Sequence, residues 1–349
     1  MTDHFSEISS IESKIITIIR AIAMVLIILC HYCDYFEGVE FLSQLFNVGV
    51  PIFFIISGFL YGQKQINNVK KWYIKQFVKI VIPLYTYYLI SALVLLVVGK
   101  LGEVNMLDSI KVLLNLQGLV GGKIGNVQSG HLWFITFILI CYLITPALQL
   151  LRDRINLKRL SILCGVLSII WMAIILNIND FYFITWIPGV LCYIFAYFLS
   201  ASWKRNHNKL RIWIGITLPM IALIALRILT NRTLTGEANI INLLYGRVIV
   251  PYSQCALGIW IFFTIYYVCL HYNTITAKTS SALRVFDKYS YYIYIVHYMF
   301  VEGVLSLSRF IESKILITIA FVLLTLLYSI LLKKISSLEL NLVNRKFSL

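Results

Sequence analysis

The sequence predicts an all-α integral membrane protein, a polytopic bundle of about ten transmembrane helices with both termini in the cytoplasm. Of its 349 residues, 60% are hydrophobic and 13% are charged, whereas a soluble globular domain is nearer half apolar and a quarter charged. The apolar residues are gathered into long runs, each near the roughly 20 residues that a bilayer requires. The basic residues lie mainly between alternate runs, as in cytoplasmic loops.

The spans are predicted as ten apolar segments of a single membrane domain, residues 1–349, with no appended soluble domain. They comprise residues 14–34, 44–62, 77–98, 131–150, 160–178, 181–200, 210–230, 252–271, 289–308 and 313–332. We predict that Pro51 bends the second span and that Gly58, after Ser57, permits a close approach between helices. Asn179 and Asp180 join the fifth and sixth spans, which indicates a tight external turn.

Basic residues follow the even-numbered spans and close the chain. They comprise Lys64, Lys70, Lys71, Lys75, Arg152, Arg154, Lys158, Arg159, Lys204, Arg205, Lys209, Arg211, Lys278, Arg284, Lys288, Lys333, Lys334, Arg345 and Lys346. The positive-inside rule places these segments in the cytoplasm, and an even number of spans places both termini on that same side. We therefore attribute the net charge of +15 to orientation and to attraction toward anionic lipid, not to nucleic-acid binding.

The longest connection, residues 99–130, is predicted to be external. Its stretch MLDSIKVLLNLQGLV fits a short amphipathic helix lying along the membrane surface. The glycine-rich stretch GLVGGKIGNVQSG that follows is typical of a flexible loop.

Arg20 and His31 are the most informative polar residues, because both lie inside the first apolar run. Such side chains are costly at membrane depth unless they face a cavity, a partner or a substrate. Their spacing of eleven residues is about three helical turns, so the two side chains share one face, about 16 Å apart along the axis. That separation suits one elongated ligand. Asp34 either accepts the ring proton of His31 and fixes its tautomer, or is a solvated loop acid.

Lys71, Lys75 and Lys79 recur at four-residue intervals before Pro83 and therefore lie on one helix face. Two interpretations stay open for these lysines. They belong to a helix end whose side chains extend to the cytoplasmic interface, or they clamp the phosphates of an anionic cofactor that arrives from the cytosol.

Other polar groups in the apolar runs have a structural and a functional interpretation. Ser57, next to Gly58, is interpreted first as a packing residue, whereas His131 and His297 are structural residues near an interface or part of a site. Cys30 and Cys33 flank His31 and Tyr32 with a metal-like spacing, but no second ligand pair lies nearby in the sequence, so no metal is expected.

Common motifs of soluble catalysis are missing from the sequence. It contains no H-E-x-x-H, no P-loop and no G-x-S-x-G elbow, which argues against an aqueous hydrolase or a nucleotide-hydrolysing pump. The seven cysteines are an odd number, fall mostly inside apolar runs and indicate no disulfide framework.

Together these motifs resemble the acyltransferase 3 family of ten-span membrane acyltransferases. The matching stretches occur in family order over nearly the whole chain. They are Arg20 through His31, FFIISGFL from Phe53 to Leu60, the basic approach to Pro83, HLWF from His131 to Phe134, and KYSYYIYIVH from Lys288 to His297.

The resemblance implies an O-acyltransferase of the plasma membrane that moves an acyl group, commonly acetyl from acetyl-CoA, to a hydroxyl of a cell-surface glycan. It implies that Arg20 holds the donor or stabilises the oxyanion and that His31 is the base or an acyl relay. Acyl-CoA is the donor substrate, and no cofactor is expected to stay bound.

The same resemblance assigns the basic cluster before the third span to donor binding and its remaining motifs to substrate binding or structure. The first set comprises Lys71, Lys75 and Lys79, and the second comprises Ser57, His131, Trp133, Ser290 and His297. Family members often carry arginines in the basic cluster, and lysine lacks their bidentate fork for phosphate. Many relatives have His-His where this chain has His31-Tyr32, so no role for a second histidine follows.

Two other classes of function stay open. A transporter or exporter of a glycan or acyl group also uses intramembrane Arg and His along its pathway, and a scaffold of a polysaccharide-synthesis complex needs neither. The expected partners are the lipid bilayer, acyl-CoA, a glycan acceptor and polysaccharide-synthesis machinery. The sequence does not identify the acceptor, and it does not decide whether the transferred group is acetyl or succinyl.

Overall fold

A computed structural model describes residues 10–34, 40–152, 157–176, 187–205, 209–231 and 240–347. All regular secondary structure within these residues is helical, which confirms the predicted all-α class. The α-helices are α1 (Ser10–Asp34), α2 (Glu40–Phe46), α3 (Gly49–Gly62), α4 (Val69–Val97), α5 (Met106–Leu113), α6 (Gln117–Val120), α7 (Trp133–Arg152), α8 (Leu157–Leu176), α9 (Ile187–Arg205), α10 (Lys209–Asn231), α11 (Ile240–Leu244), α12 (Val250–His271), α13 (Asn273–Val296) and α14 (Lys314–Phe347).

Within the described residues, seven helical segments are long and apolar enough to cross a membrane. They are Ile11–Asp34, Leu42–Gly62, Val69–Val97, Gly130–Arg152, Leu210–Asn231, Ile240–His271 and Lys314–Arg345. The predicted fifth and sixth spans correspond to shorter apolar helices, Ile162–Ile175 and Ile187–Ser200. The turn predicted at Asn179 and Asp180 lies outside the described residues. The count of ten spans and the cytoplasmic termini stay predictions.

The predicted second span, residues 44–62, is interrupted just before Pro51. Helix α2 ends at Phe46 and α3 begins at Gly49, so a two-residue turn precedes Pro51. The first four N–H groups of a helix have no partner inside it, which makes the first turn the place where proline is tolerated. Pro51 therefore lies in the first turn of α3.

The predicted ninth span, residues 289–308, is also not one continuous helix. Helix α13 ends at Val296, and 3-10 turns follow at His297–Phe300 and Leu307–Arg309. Between these turns Gly303 has φ 89°, a conformation that residues with a side chain rarely adopt. The apolar run predicts burial here, but hydrophobicity alone does not predict this break in the helix.

The first of two compact units holds most of the helices from the middle of the chain. It comprises Met1–Leu26, Asn47–Asn67 and Leu143–Arg284. Helices α3 and α9 approach closely within it, because a Cβ atom on Gly58 would lie 2.2 Å from the carbonyl oxygen of Tyr193. The close helix approach predicted at Gly58 is confirmed.

Arg152, which the sequence places in a cytoplasmic basic cluster, is buried in the first unit with 3% of its surface exposed. Its guanidinium donates hydrogen bonds to the carbonyl oxygens of Gly62 at 3.2 Å and Lys64 at 2.9 Å, and to Oε1 of Gln65 at 2.9 Å. The last carbonyls of a helix lack donors inside it. Arg152 therefore satisfies the carboxyl end of α3.

The second unit contains α2, α4, α5, α6 and α14, with parts of α1, α7 and α13. It comprises Ile27–Phe46, Asn68–Tyr142 and Val285–Leu349. Polar contacts join α4 to α14: Thr86 donates to Oε2 of Glu339 at 2.6 Å, and the hydroxyls of Ser91 and Tyr328 are 2.7 Å apart. These bonds satisfy hydroxyl and carboxylate groups inside apolar helices, where an unmet polar group is costly.

The stretch predicted to form one surface helix in residues 99–130 forms two short helices, α5 and α6, and its place along the membrane surface stays a prediction. The side chain of Asn105 accepts a hydrogen bond from the backbone N–H of Asp108 at 3.1 Å and thereby caps α5. The glycine-rich stretch after α6 has no regular helix before residue 130, and it contacts α4 through the hydroxyl of Tyr87, which donates to the carbonyl of Gln128 at 2.8 Å.

Candidate active site

The second unit brings together three histidines that lie far apart in the sequence. His31 belongs to the last turn of α1, His131 to the 3-10 turn Gly130–Leu132 before α7, and His297 to the 3-10 turn that follows α13. The ring centroid of His297 lies 5.3 Å from that of His31 and 5.3 Å from that of His131. The sequence singles out each histidine but not their convergence.

Backbone carbonyls hold two of these rings. Nε2 of His131 lies 2.9 Å from the carbonyl oxygen of Ile295, and Nδ1 of His297 lies 2.8 Å from that of Tyr294. In return, the hydroxyl of Tyr294 donates to the carbonyl of His131. The end of α13 and the turn before α7 are thereby locked together around the two histidines, which are 3% and 0% exposed.

Tyr298 contacts all three histidines, and the rings of His31 and His131 are the nearer two. Its ring centroid is 4.7 Å from that of His31 and 4.9 Å from that of His131, and its hydroxyl donates to the carboxylate of Glu302. The sequence argument missed both residues. A signal for this pair was available in the sequence, because Tyr298 and Glu302 are four residues apart, the spacing at which side chains meet on a helix.

A cavity of about 370 Å³ opens beside this cluster. Its polar lining consists of His31, Asp34, Tyr298, Glu302, Ser306, Ser308 and Arg309. Among the three histidines, His31 lines the cavity, whereas His131 and His297 are not part of the described lining. The cavity therefore offers a ligand one imidazole together with carboxylates, hydroxyls and a guanidinium.

One wall of the cavity is the chain between α13 and α14, and two features fix it. The hydroxyl of Ser306 donates to the carbonyl of Val301 at 2.8 Å. Leu307 packs in an apolar cluster with Ile317 and Phe321 of α14, against which Tyr32 of α1 is also packed. This hydrogen bond and this apolar cluster therefore hold the wall in place without a ligand in the cavity.

Asp34 and Cys30 lie close to His31. Each of the three residues offers one potential ligand atom, and these atoms all lie within 4.8 Å of one another. They are the sulfur of Cys30, a ring nitrogen of His31 and a carboxylate oxygen of Asp34. Groups of this kind are potential metal ligands. The sulfur of Cys30 is also 3.8 Å from the hydroxyl of Ser43. The expectation that no metal binds here stays a prediction.

The lysines predicted to bind phosphate begin helix α4 in the second unit. Lys71, Lys75 and Lys79 are exposed at four-residue intervals along it. The side chain of Asn68 accepts from the backbone N–H of Lys71 at 2.9 Å and caps this helix end. Elsewhere in the unit, Nζ of Lys333 lies 4.1 Å from the ring centroid of Tyr289.

The remaining predicted site residues are not part of the described cavity lining. Arg20 lies on α1 and Ser57 on α3, both in residues of the first unit and both partly exposed. Trp133 is 7% exposed and packs against Phe137 with ring centroids 6.0 Å apart. Ser290 is buried, and its hydroxyl donates to the carbonyl of Asp287 at 2.9 Å.

Comparison with known protein families identifies a match over nearly the whole chain. The model of a family described as an acyltransferase domain matches residues 14–334, a range that includes the histidine cluster and nearly the whole chain. No curated protein and no solved structure matches the chain. The chain, with its apolar helices and its buried histidines, belongs to the acyltransferase 3 family of membrane acyltransferases.

Proposed function

We propose that the protein transfers an acetyl group from cytosolic acetyl-CoA to a hydroxyl of a cell-surface polysaccharide or related envelope molecule, in the plasma membrane. The observation that carries this proposal is that His31 lines a cavity together with Asp34, Glu302 and Ser308. Carboxylates accept hydrogen bonds and serine hydroxyls both donate and accept them. Such a lining suits an acceptor with several hydroxyl groups, held beside an imidazole.

In the proposed reaction His31 is the general base. Its unprotonated ring nitrogen takes the proton of the acceptor hydroxyl while the hydroxyl oxygen attacks the thioester carbonyl carbon. The new C–O bond forms, the C–S bond breaks, and the protonated imidazole gives the proton to the leaving thiolate, which releases CoA as its thiol. General-base catalysis of this kind contributes about 10²–10⁴-fold.

The second role open to His31 is that of an acyl relay. Its ring nitrogen would attack the thioester and carry the acetyl group until the acceptor oxygen displaces it. Incubation with radiolabelled acetyl-CoA without acceptor, followed by a denaturing quench at neutral pH, separates the roles. Label on the wild-type protein that disappears in His31→Ala supports the relay, and an unlabelled protein supports the base.

Turnover of the thioester tests the proposed function as a whole. The purified protein, reconstituted in lipid nanodiscs, is incubated with radiolabelled acetyl-CoA and a membrane glycan extract. We expect release of free thiol and appearance of alkali-labile label on the glycan. A transporter would leave the thioester intact, so an intact donor with folded protein would overturn the proposal.

The lysines of α4 are proposed to bind the phosphates of the donor. Replacing Lys71, Lys75 and Lys79 together with glutamine is expected to raise the KM for acetyl-CoA about tenfold or more, because charge-assisted hydrogen bonds contribute roughly 1.5–3 kcal/mol each. The kcat is expected to stay near the wild-type value. Initial rates over a range of acetyl-CoA concentrations measure both constants.

Two variants control this lysine experiment. Lys111→Gln removes one positive charge from α5, where Lys111 pairs with Asp108 at 2.8 Å, and should leave the KM unchanged. Replacing the three α4 lysines with arginine should preserve or lower the KM, because the guanidinium binds phosphate through two parallel hydrogen bonds. An unchanged KM in the glutamine variant would contradict phosphate binding by these lysines.

Gly303 is expected to be essential to the cavity wall. A Cβ atom there would lie 1.8 Å from Nε2 of Gln128, on a backbone with φ 89°. Gly303→Ala should lower kcat by about tenfold or more, since small misplacements of a site are costly. Adding Gln128→Ala removes the contact but not the backbone strain, so it should restore part of the rate. A fully active Gly303→Ala protein would contradict this role.

Metal removal is expected to have no effect on transfer. The proposed step uses His31 as a base on its own, so dialysis against EDTA should leave the rate of thiol release at the wild-type value. Metal analysis of the purified protein accompanies the rate. Loss of activity on chelation, with recovery on adding one metal back, would contradict the expectation and point to Cys30, His31 and Asp34.

A further inference from the structure

Two histidines of the cluster carry a ring nitrogen that no group in the described part of the chain satisfies. A carbonyl oxygen only accepts, so Nδ1 of His297 must donate to Tyr294, and Nε2 of His131 must donate to Ile295. In the neutral rings this leaves Nε2 of His297 and Nδ1 of His131 as acceptors. Neither atom has a hydrogen-bond partner among the described residues, and both rings are buried.

Leaving a buried acceptor unmet has a cost, so something is expected to meet these two. A ligand in the cavity meets His31 and Tyr298, which line it, whereas the other two histidines are not part of its described lining. The ring of Tyr298 packs on both His31 and His131. A substrate in the cavity would therefore touch His31 rather than these two acceptors.

His31 is near enough to supply the missing donor, although no hydrogen bond joins the two rings in the structure. Its ring centroid lies 5.3 Å from that of His297, and two imidazoles joined by an N–H···N bond have their centroids about 5 Å apart. The centroid distance between His297 and His131 is again 5.3 Å. The ring of His297 is therefore in contact with the rings of both other histidines.

We propose that His297 is a positioning residue that accepts a hydrogen bond from one ring N–H of His31. The other ring nitrogen of His31 then presents its lone pair to the cavity. This inference rests on the proposed base function of His31 and specifies how its tautomer is fixed. The arrangement resembles a catalytic triad in its logic, with a neutral imidazole in place of the buried carboxylate.

Asp34 is the competing candidate for this role. It lines the cavity beside His31 and is exposed, so it lies on the side from which substrate approaches. An orienting group in the interior leaves that side free for the acceptor hydroxyl. The two candidates predict different responses to substitution.

Two substitutions remove an acceptor and keep the anchoring bond. Asparagine at 297 retains a donor near the position of Nδ1, and glutamine at 131 retains one near the position of Nε2. We expect His297→Asn to lower kcat about 10²-fold with an unchanged KM for acetyl-CoA, because His31 loses the hydrogen bond that fixes both its tautomer and the orientation of its ring. His131→Gln, which alters only the ring that packs against His297, should lower kcat less. Asp34→Asn, at a residue of the cavity lining, is expected to raise the KM for the acceptor while His31 keeps the tautomer that it has in the wild type.

A spectroscopic readout separates positioning from folding. Nitrogen-15 NMR of histidine-labelled protein in lipid, assigned with single-histidine variants, reports which ring nitrogen carries hydrogen. In the wild type we expect Nδ1–H for His297, Nε2–H for His131 and a single tautomer for His31. The His31 signals should become a mixture in His297→Asn, at an unchanged unfolding temperature.

The outcomes distinguish this inference from the proposed function. An Nε2–H tautomer at His297 in the wild type would overturn the inference without any variant. Wild-type kcat in a folded His297→Asn protein would also overturn it, and together with an inactive His31→Ala protein would leave the base function intact. A fully active His31→Ala protein would instead overturn the proposed function.

Discussion

Replacing His31 with alanine is expected to lower kcat for acetyl transfer by about 10²–10⁴-fold, the range that a general base contributes. His31 is the histidine of the cluster that lines the cavity, and the other two have one nitrogen each engaged with backbone. Neither is placed to replace it at the cavity. Thiol release by purified protein and the O-acetyl content of the cell envelope measure the loss.

The matched control is a histidine outside the site. His271 is exposed at the end of α12, and its ring contacts the carbonyl of Tyr267 in its own helix at 3.0 Å. His271→Ala should therefore retain wild-type turnover and expression. A folded His31→Ala protein that keeps full envelope O-acetylation would contradict the role of His31, whether as base or as relay.

Much of the fold follows from composition, because a bilayer imposes simple rules on length and polarity. An apolar run near 20 residues forms a helix in which every backbone group is satisfied internally. The first span is an example: residues 14–34 are predicted, and α1 is Ser10–Asp34. The same rules do not predict where an apolar segment is interrupted, as it is before Pro51 and after Val296.

Charge patterns are a weaker guide to individual side chains. The positive-inside rule concerns the average composition of loops, so it does not separate a solvated arginine from a buried one. Arg152 belongs to a basic cluster in the sequence, yet it satisfies carbonyls at the end of α3. Its role depends on the path of the chain after Gly62, which no local pattern contains.

The site illustrates the same limit. The cost of polar groups at membrane depth identifies His31, and the family motifs identify His131 and His297, but each signal is local. Their convergence depends on tertiary contacts such as that between Tyr294 and His131. The cavity wall depends on Gly303, whose positive φ is set by the path of the chain between α13 and α14.

Alanine at Gly58 and at Gly62 is expected to destabilise the protein strongly. A Cβ atom at Gly58 would lie 2.2 Å from the carbonyl oxygen of Tyr193, and one at Gly62 would lie 2.0 Å from that of Tyr197. Both obstacles are backbone atoms of α9, so the helices themselves must separate. Overpacking typically costs about 1–3 kcal/mol, and we expect each variant to lose that much or more.

The control substitutions predict an effect of the opposite sign. A Cβ atom at Gly165 on α8 or at Gly215 on α10 would meet no neighbouring atom of the described residues within 4 Å, and alanine favours a helix over glycine by about 1 kcal/mol. Gly165→Ala and Gly215→Ala should therefore raise the unfolding temperature slightly, whereas Gly58→Ala and Gly62→Ala should lower it. Thermal unfolding in detergent compares all four proteins. Equal unfolding temperatures would contradict the close packing of α3 on α9, because helix propensity alone acts alike at all four positions.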